Sequence, residues 1–329
     1  MDAELFSIED MKNGQDKIPT FYHSSKWIRA VAESYRIKPI IIGIRDGEYV
    51  NIMPCFLIKS KVFGNKIVSL PYCEYGGPNR YSDIDKIFKK IDVIAKANNA
   101  KYLELRIPPW NRFDLSEYGF VKGPDYFTFK IDLRKSLDSI WHNMNKKVRN
   151  SIRKAEKNNV RVCESNRIKT FYSLYIKTMK KISSPPHSLE FFQNIMKYCE
   201  PDVKVQYANY ENKEIAASIF FLHQKKIYYW KNVSDENFLH LRPNDIILYN
   251  MIKWGIDNDY NEIDLGRTKM NSGVFLFKKR WGGEMKEINH LYKFYDAAKI
   301  PDIESSKYNI LKKLWKLLAQ CSPKRADTE

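Results

Sequence analysis

Cysteine is scarce in this chain and scattered along it. The 329 residues hold five, at Cys55, Cys73, Cys163, Cys199 and Cys321. The number is odd and no pair has CxxC spacing, which argues against a disulfide framework or a zinc site and suits a reducing compartment. Long apolar runs are missing too, since none approaches the roughly 18 residues that cross a bilayer. The opening MDAELFSIEDMKNG is acidic and lacks the apolar centre of a signal peptide. The expected location is therefore the cytoplasm. Acidic residues are in deficit, 39 Asp+Glu against 56 Lys+Arg, for a formal charge of +17. Such a field attracts polyanions, whether nucleic acid, a nucleotide-bearing substrate or an anionic membrane face. A lysine-rich surface that only solubilises gives the same balance. There is no GxSxG elbow and no cysteine with a neighbouring histidine motif, so nothing points to a covalent nucleophile.

What remains is a chain able to bury a large core, with 43% hydrophobic and 14% aromatic residues. That excludes global disorder, and the length allows two domains or one large one. The segment IKPIIIGIRDGEYVNIMPCFLIKS (37–60) reads as two strands about an Asp-Gly turn. Ile84, Ile87, Phe88, Ile91 and Ile94 fall at helical spacing in 84–100, and KYLELRI (101–107) reads as the strand after it. A further strand is expected in 118–133. The second half repeats this order. Strands alternate with turns over 203–234, a helix over 244–260 turns Ile247, Leu248, Met251 and Ile252 inward, and NEIDLGR (261–267) is the following strand. The helix-strand blocks 84–106 and 246–267 end in Arg106 and Arg267. The shared order predicts a duplicated, mixed α/β fold.

Between the halves, Ile140, Met144, Val148, Ile152 and Ala155 share one face of a single expected helix over 136–160, ringed by six lysines and arginines. This helix would open a second domain. The expected division is 1–135, 136–298 and a tail 299–329 whose segment 305–320 forms a basic amphipathic helix. Such a helix packs on the body, or lies on an anionic membrane surface or a partner. GRTKMNSGVFLFKKRWGGE (266–284) is read as an apolar strand-like stretch leading to three cations and a Trp-Gly-Gly turn, with Lys279 and Arg280 alternating across the strand.

Several of these stretches together resemble a known family. They are FYHSSKWIRAVAESY, FGNKIVSLPYCEYGGPN, FTFKIDL with IWHNMNKKVRNSIRKAEKNNVRV, PPHSLEFF, and LRPNDIILYNMIKWGI with IDLGRT and FLFKKRWGGE. Over roughly residues 20–295 the chain is similar to the FemAB-like acyltransferases of the GNAT superfamily. The resemblance implies two tandem GNAT-like domains, each a mostly antiparallel sheet flanked by helices, with a channel between them. It implies transfer of an acyl or aminoacyl group to an amine, with no cofactor beyond the donor, aminoacyl-tRNA or acyl-CoA. The acceptor would be an amine-bearing small molecule, a peptide or a cell-envelope precursor, and tRNA would be a partner. The competing reading is a non-catalytic basic module for RNA or an anionic membrane.

Acyl transfer needs an activated ester, a neutral attacking amine, and cations or N–H donors facing the oxyanion. By the resemblance, Phe277 and Lys278 face the acyl end of the donor, where Lys278 neutralises the oxyanion or a terminal phosphate, although lysines on an edge strand also deter aggregation. Arg242 and Asn244 stand where a GNAT fold carries its pyrophosphate loop, and a helix N-terminus there suits phosphate. The glycine-rich signature of acetyl-CoA binding is missing, which tilts the donor toward an aminoacyl-tRNA. Asn244 or Asp245 can equally be an ordinary helix cap. Arg267 is expected at the donor. His187 takes the place of a basic acceptor contact and can serve as a base. By the resemblance the segment of Glu74 and Tyr75 lines the acceptor cleft, where Glu74 takes the amine proton or binds an ammonium, and Tyr228 and Trp230, on one side of a strand, are expected to line it too. Surface turn, helix cap and aromatic core are the ordinary alternatives for these residues.

Overall fold

The structure is a computed structural model that describes residues 2–296 except 12–17, 47–48, 62 and 112. The helix expected at 305–320 lies outside the described residues. In the first half, strands β1 (Glu4–Phe6), β2 (Pro39–Asp46), β3 (Tyr49–Ile58), β4 (Asn65–Val68), β5 (Ala100–Ile107), β6 (Phe120–Lys122) and β7 (Tyr126–Asp132) accompany helices α1 (Ser25–Tyr35) and α2 (Ile84–Ala97). The middle of the chain holds α3 (Leu137–Asn143), α4 (Lys146–Lys157), β8 (Arg161–Glu164), α5 (Ile168–Lys181) and α6 (Leu189–Cys199). It continues with β9 (Val203–Tyr210), β10 (Lys213–His223), β11 (Lys226–Ser234), α7 (Pro243–Asp257), β12 (Glu262–Asp264), β13 (Thr268–Lys269), α8 (Gly273–Lys279) and β14 (Glu284–Phe294).

The expected hairpin is present, with β2 and β3 antiparallel and Asp46 opposite Tyr49. Each half is built about one parallel pair. In the first, β4 runs beside β5 with Val68 opposite Glu104. In the second, β11 runs beside β12 with Tyr228 opposite Asp264. The other described pairings are antiparallel. Parallel neighbours need a crossover helix, and α2 and α7 supply the two. The repeated order read from the sequence is thus a repeated βαβ unit.

The two sheets are not separate. The strand order runs β1-β2-β3-β4-β5-β14-β7-β12-β11-β10-β9-β8. Strand β7, from the first half, pairs with β12 in the second sheet. Strand β14, from the end, pairs through Glu284–Ile288 with β7 and through Asn289–Phe294 with β5. Each half therefore lends the other a strand, and pairing crosses the expected boundary at 135/136.

Three apolar clusters follow. One lies between the first sheet and α2, where Ile84, Ile87, Phe88 and Ile91 are buried as their spacing predicts. A second packs α3, α4 and α7 on the other sheet. The third joins the halves and is rich in aromatic residues. Its Trp27 is fully buried and meets Tyr22, Phe191, Phe221 and Trp230 edge-on, contacts that each add about 0.5–1.5 kcal/mol beyond area burial.

Three local expectations need correction. The helix over 136–160 is two helices, because Asn145 breaks it and its side chain accepts from Lys147 N; Ile140, Met144, Val148, Ile152 and Ala155 are still all buried. The stretch 273–279 is helix rather than strand. Ser272 caps it through Phe275 N at 3.0 Å, and Phe275 and Lys278, three residues apart, turn inward together. Neither Asn244 nor Asp245 caps α7. The cap position is Arg242, in the left-handed region at φ 62°, with Pro243 opening the helix.

Candidate active site

The site forms where β11 and β12 part. Their pairing ends at Tyr228 and Asp264. Beyond it the chain turns at Gly266, whose φ of +75° and 2.9 Å approach of a virtual Cβ to the Tyr229 carbonyl both require glycine. The side chain of Lys278 comes up from α8 into this turn. Its Nζ donates to the Gly266 carbonyl at 2.8 Å and the Arg267 carbonyl at 3.1 Å. Lys278 is only 7% exposed.

The first half contributes Glu74 from the loop after β4. Leu70 and Tyr72 in this loop sit at φ 55° and 65°, a region non-glycine residues enter at a cost and mostly at functional places. Arg106 holds the loop there. Its guanidinium donates to the Cys73 carbonyl at 2.6 Å and the Leu70 carbonyl at 3.0 Å, and Glu104 lies beside it. Glu74 accepts from Arg267 N at 3.1 Å and lies 3.5 Å from Arg267 Nε. The Arg267 guanidinium rests over the Tyr126 ring at 4.5 Å.

Burial pushes the Lys278 ammonium down to about 8, against the opposing pull of Glu74 and Asp264 and with the help of Arg267 and Lys231. Burial likewise lowers Lys231, with Glu74 opposing. Two lysines, one arginine and two carboxylates are thus gathered at the junction of the halves. The sequence reading singled out Lys278, Glu74 and Arg267 among them. It missed Asp264 and Lys231. Asp264 carried a local signal, a carboxylate between the apolar Ile263 and Leu265, whereas Lys231 shares its strand with Lys226, Asn232 and Ser234 and carried little.

Other expected residues lie elsewhere. His187 lines a separate cavity of about 630 Å³ with Tyr35 and Tyr72. Its Nδ1 meets the Tyr35 hydroxyl, and its backbone N donates to Tyr175 Oη at 3.1 Å. Burial first, and Lys231 second, hold the imidazole down at about 3, so it is neutral at physiological pH. Lys231 is the electrostatic link between this cavity and the Lys278 centre. Tyr75 is fully buried, Tyr228 and Trp230 nearly so, within the aromatic cluster joining the halves. Trp230 Nε1 donates to the Tyr72 carbonyl at 3.1 Å. Phe277 packs toward the second core, edge-on to Trp281. Arg242 is exposed at the start of α7. The Asn244 Nδ2 reaches Ser234 Oγ at 3.4 Å. Beside them Asp245 is buried, and burial raises its carboxyl to about 6 despite Arg280 and Arg242.

A larger cavity of about 1180 Å³ opens beyond Tyr75, with Trp110, Lys130, Lys226 and Trp281 among its walls. Lys130 and Lys226 Nζ lie 4.1 and 4.7 Å from the Trp110 ring centre. That ring packs edge-on against Tyr75. The Trp-Gly-Gly turn serves packing at this wall, for a Cβ on Gly282 would meet the Asn143 carbonyl at 2.5 Å.

Comparison with known proteins bears on the fold. The family model described as an acetyltransferase (GNAT) domain matches residues 142–279. Among solved structures, that of FemX superposes with a TM-score of 0.70 at 16% identity, covering 97% of this chain and 100% of FemX. A tandem GNAT protein from the clavulanic acid biosynthesis pathway gives 0.56 at 7% identity, over 91% and 99% of the two chains. L-PGS from Bacillus licheniformis gives 0.55 at 11%, over 85% and 89%. No curated protein matches in sequence. The matched segment is a GNAT domain, and the fold of the chain is the one FemX and the tandem GNAT protein share, two GNAT-like units in tandem, as the resemblance implied. Among the described residues, no helix is long and apolar enough to cross a membrane.

Proposed function

We propose that this acyltransferase moves an acyl or aminoacyl group from an activated ester to an amine by direct attack at the junction of its two halves. The observation that carries the reading is the buried Lys278 ammonium, held by two carbonyls on one half with the Glu74 carboxylate brought to it from the other. In this scheme Glu74 takes a proton from the acceptor's ammonium. The freed nitrogen attacks the carbonyl carbon, and Lys278 faces the oxyanion that develops. The carbon–oxygen or carbon–sulfur bond to the donor then breaks, and the leaving atom takes up a proton. Buried cations aimed at developing charge are worth more than exposed ones, because little solvent screens them.

The α7 start bears on the donor. A pyrophosphate would have to sit by the buried Asp245, which is ionised above about pH 6. A carboxylate there opposes phosphate and supports an aminoacyl ester over acyl-CoA. In the same scheme Arg242 and Asn244 border the donor, His187 and its cavity lie on the acceptor's path, and the acceptor is an amine on a small molecule, a peptide or a cell-envelope precursor in a cytoplasmic setting. The test is to incubate the protein separately with acetyl-CoA and with charged tRNA and record thermal stability. A native-state ligand raises the melting temperature as its concentration rises. Protection by tRNA, with transfer of label to an added amine lost in Lys278→Ala, is the expected result. Equal transfer by Lys278→Ala would sink the proposal.

A further inference from the structure

The carboxylate of Asp264 takes no part in the scheme above, yet it is buried and accepts three hydrogen bonds. The residue is 1% exposed. Its Oδ1 accepts from Thr128 Oγ1 at 2.5 Å and from Gly266 N at 2.8 Å, and its Oδ2 accepts from the Tyr75 hydroxyl at 2.5 Å. Thr128 lies on β7 and Tyr75 follows Glu74 in the first-half loop, so one carboxylate ties three segments together. Sequence placed Tyr75 in the acceptor cleft. Its complete burial and its bond to Asp264 give it a different task.

Gly266 is the hinge of the matter. Its N–H is fixed by Asp264, and its carbonyl accepts from Lys278. The Gly266 carbonyl shares its peptide with Arg267 N, which Glu74 fixes, and the Arg267 carbonyl also accepts from Lys278. Asp264 and Glu74 thus fix the N–H groups of two consecutive residues, and the carbonyls of the same two residues hold one ammonium. We infer that Asp264 is a positioning residue for the proposed transfer: it sets the Gly266–Arg267 carbonyls that hold Lys278 and, through Tyr75, the register of Glu74 against them. This rests on the proposed function for its purpose but not for its test, which reads Lys278 directly.

The groups that face the Lys278 ammonium are Glu74 from the first-half loop, Asp264 from β12, Arg267 from the following turn and Lys231 from β11. Asp264→Asn removes one of the two anions and reverses one hydrogen-bond partner. The ε-ammonium of lysines in the full chain is followed by NMR through a pH titration, with Lys278 assigned by its loss in Lys278→Arg. In Asp264→Asn the Lys278 midpoint is expected to fall below its wild-type value by a unit or so. Gly266→Ala strains the same peptide without touching Asp264, since its Cβ would come 2.9 Å from the Tyr229 carbonyl and 3.6 Å from Nζ. It is expected to lower the midpoint as well and serves as the reading should Asp264→Asn fail to fold. Tyr75→Phe, which keeps the carboxylate but frees the Glu74 loop from it, is expected to lower the midpoint by less than Asp264→Asn and to lower the melting temperature as well. Folded Asp264→Asn and Gly266→Ala proteins whose Lys278 titrates as in wild type would assign Asp264 a purely structural part and overturn the inference. So would Gly266→Ala with an unchanged midpoint alone. Acyl transfer retained at the wild-type rate in Asp264→Asn and Gly266→Ala, with the midpoints moving as described, would leave the positioning intact and count against the proposed reaction.

Discussion

Replacing Lys278 with methionine isolates the energetic cost of keeping an ammonium in the junction. The lysine's ordinary value of 10.5 falls to about 8 in the folded protein, chiefly through burial. Between those two pH values the unfolded chain binds a proton that the folded chain has released. Stability therefore rises with pH in this window, by about 1.4 kcal/mol per unit for a group that is fully protonated on one side only. Below about pH 8 both states hold the proton and the full cost is present, about 3 kcal/mol from the shift. Lys278→Met lacks the titration, and it also leaves the Gly266 and Arg267 carbonyls without their donor, a loss of about 1–3 kcal/mol. At pH 7 the two effects oppose and the variant should lie within about 2 kcal/mol of wild type. Urea denaturation at pH 7, 8.5 and 10 checks the pH dependence, which is the sharper reading. Wild type should gain about 2 kcal/mol on the variant between the last two pH values. Parallel curves across that range would show that Lys278 is solvated, and the oxyanion argument would fall with its burial.

The same reasoning gives three further expectations. Asp245→Asn should stabilise the protein above pH 6, by up to about 3 kcal/mol, because the folded carboxyl is raised from 3.8 to about 6 and the wild type loses stability across that window as the unfolded chain releases its proton first; thermal melts at pH 3 and pH 8 separate the two regimes, and the gain should be absent at pH 3. His187 is held down at about 3, so its NMR titration should show no inflection near 6.5, and the protein should lose stability as pH falls from about 6.5 toward 3, where the unfolded chain alone takes the proton. Tyr75→Phe removes a buried bond to a carboxylate across the two halves and should cost about 2 kcal/mol in urea denaturation.

Much of this was legible in the residues. The 3.6-residue spacing of Ile84, Ile87, Phe88 and Ile91, and of the buried face from Ile140 to Ala155, survives in the structure because one-sided burial writes itself into sequence. Lys278 and Glu74 were marked out by the family resemblance, and the fold brings both to one junction. Less legible were features that depend on where segments end. Ser272 turns an apolar strand-like run into helix α8, and Asn145 cuts one helix into two. The parts of Asp264 and Lys231 are set by distant partners, Tyr75 and Thr128 for the one and the His187 cavity for the other. The burial of Tyr75 follows from packing between the halves, which no local pattern encodes.

The lending of β7 to one sheet and of β14 to the other has a consequence for how the molecule can come apart. A fragment cut at 135/136 would carry away a ribbon that belongs to its neighbour and leave two raw sheet borders, each a template for stray pairing. Truncated halves should therefore precipitate or find each other when co-expressed, and heating the intact chain should melt both halves in one step. Evolution from a duplicated ancestor would then have run through mutual dependence: once each copy relied on the other's ribbon, neither could be lost, and the junction became a fixed place where chemistry could be built.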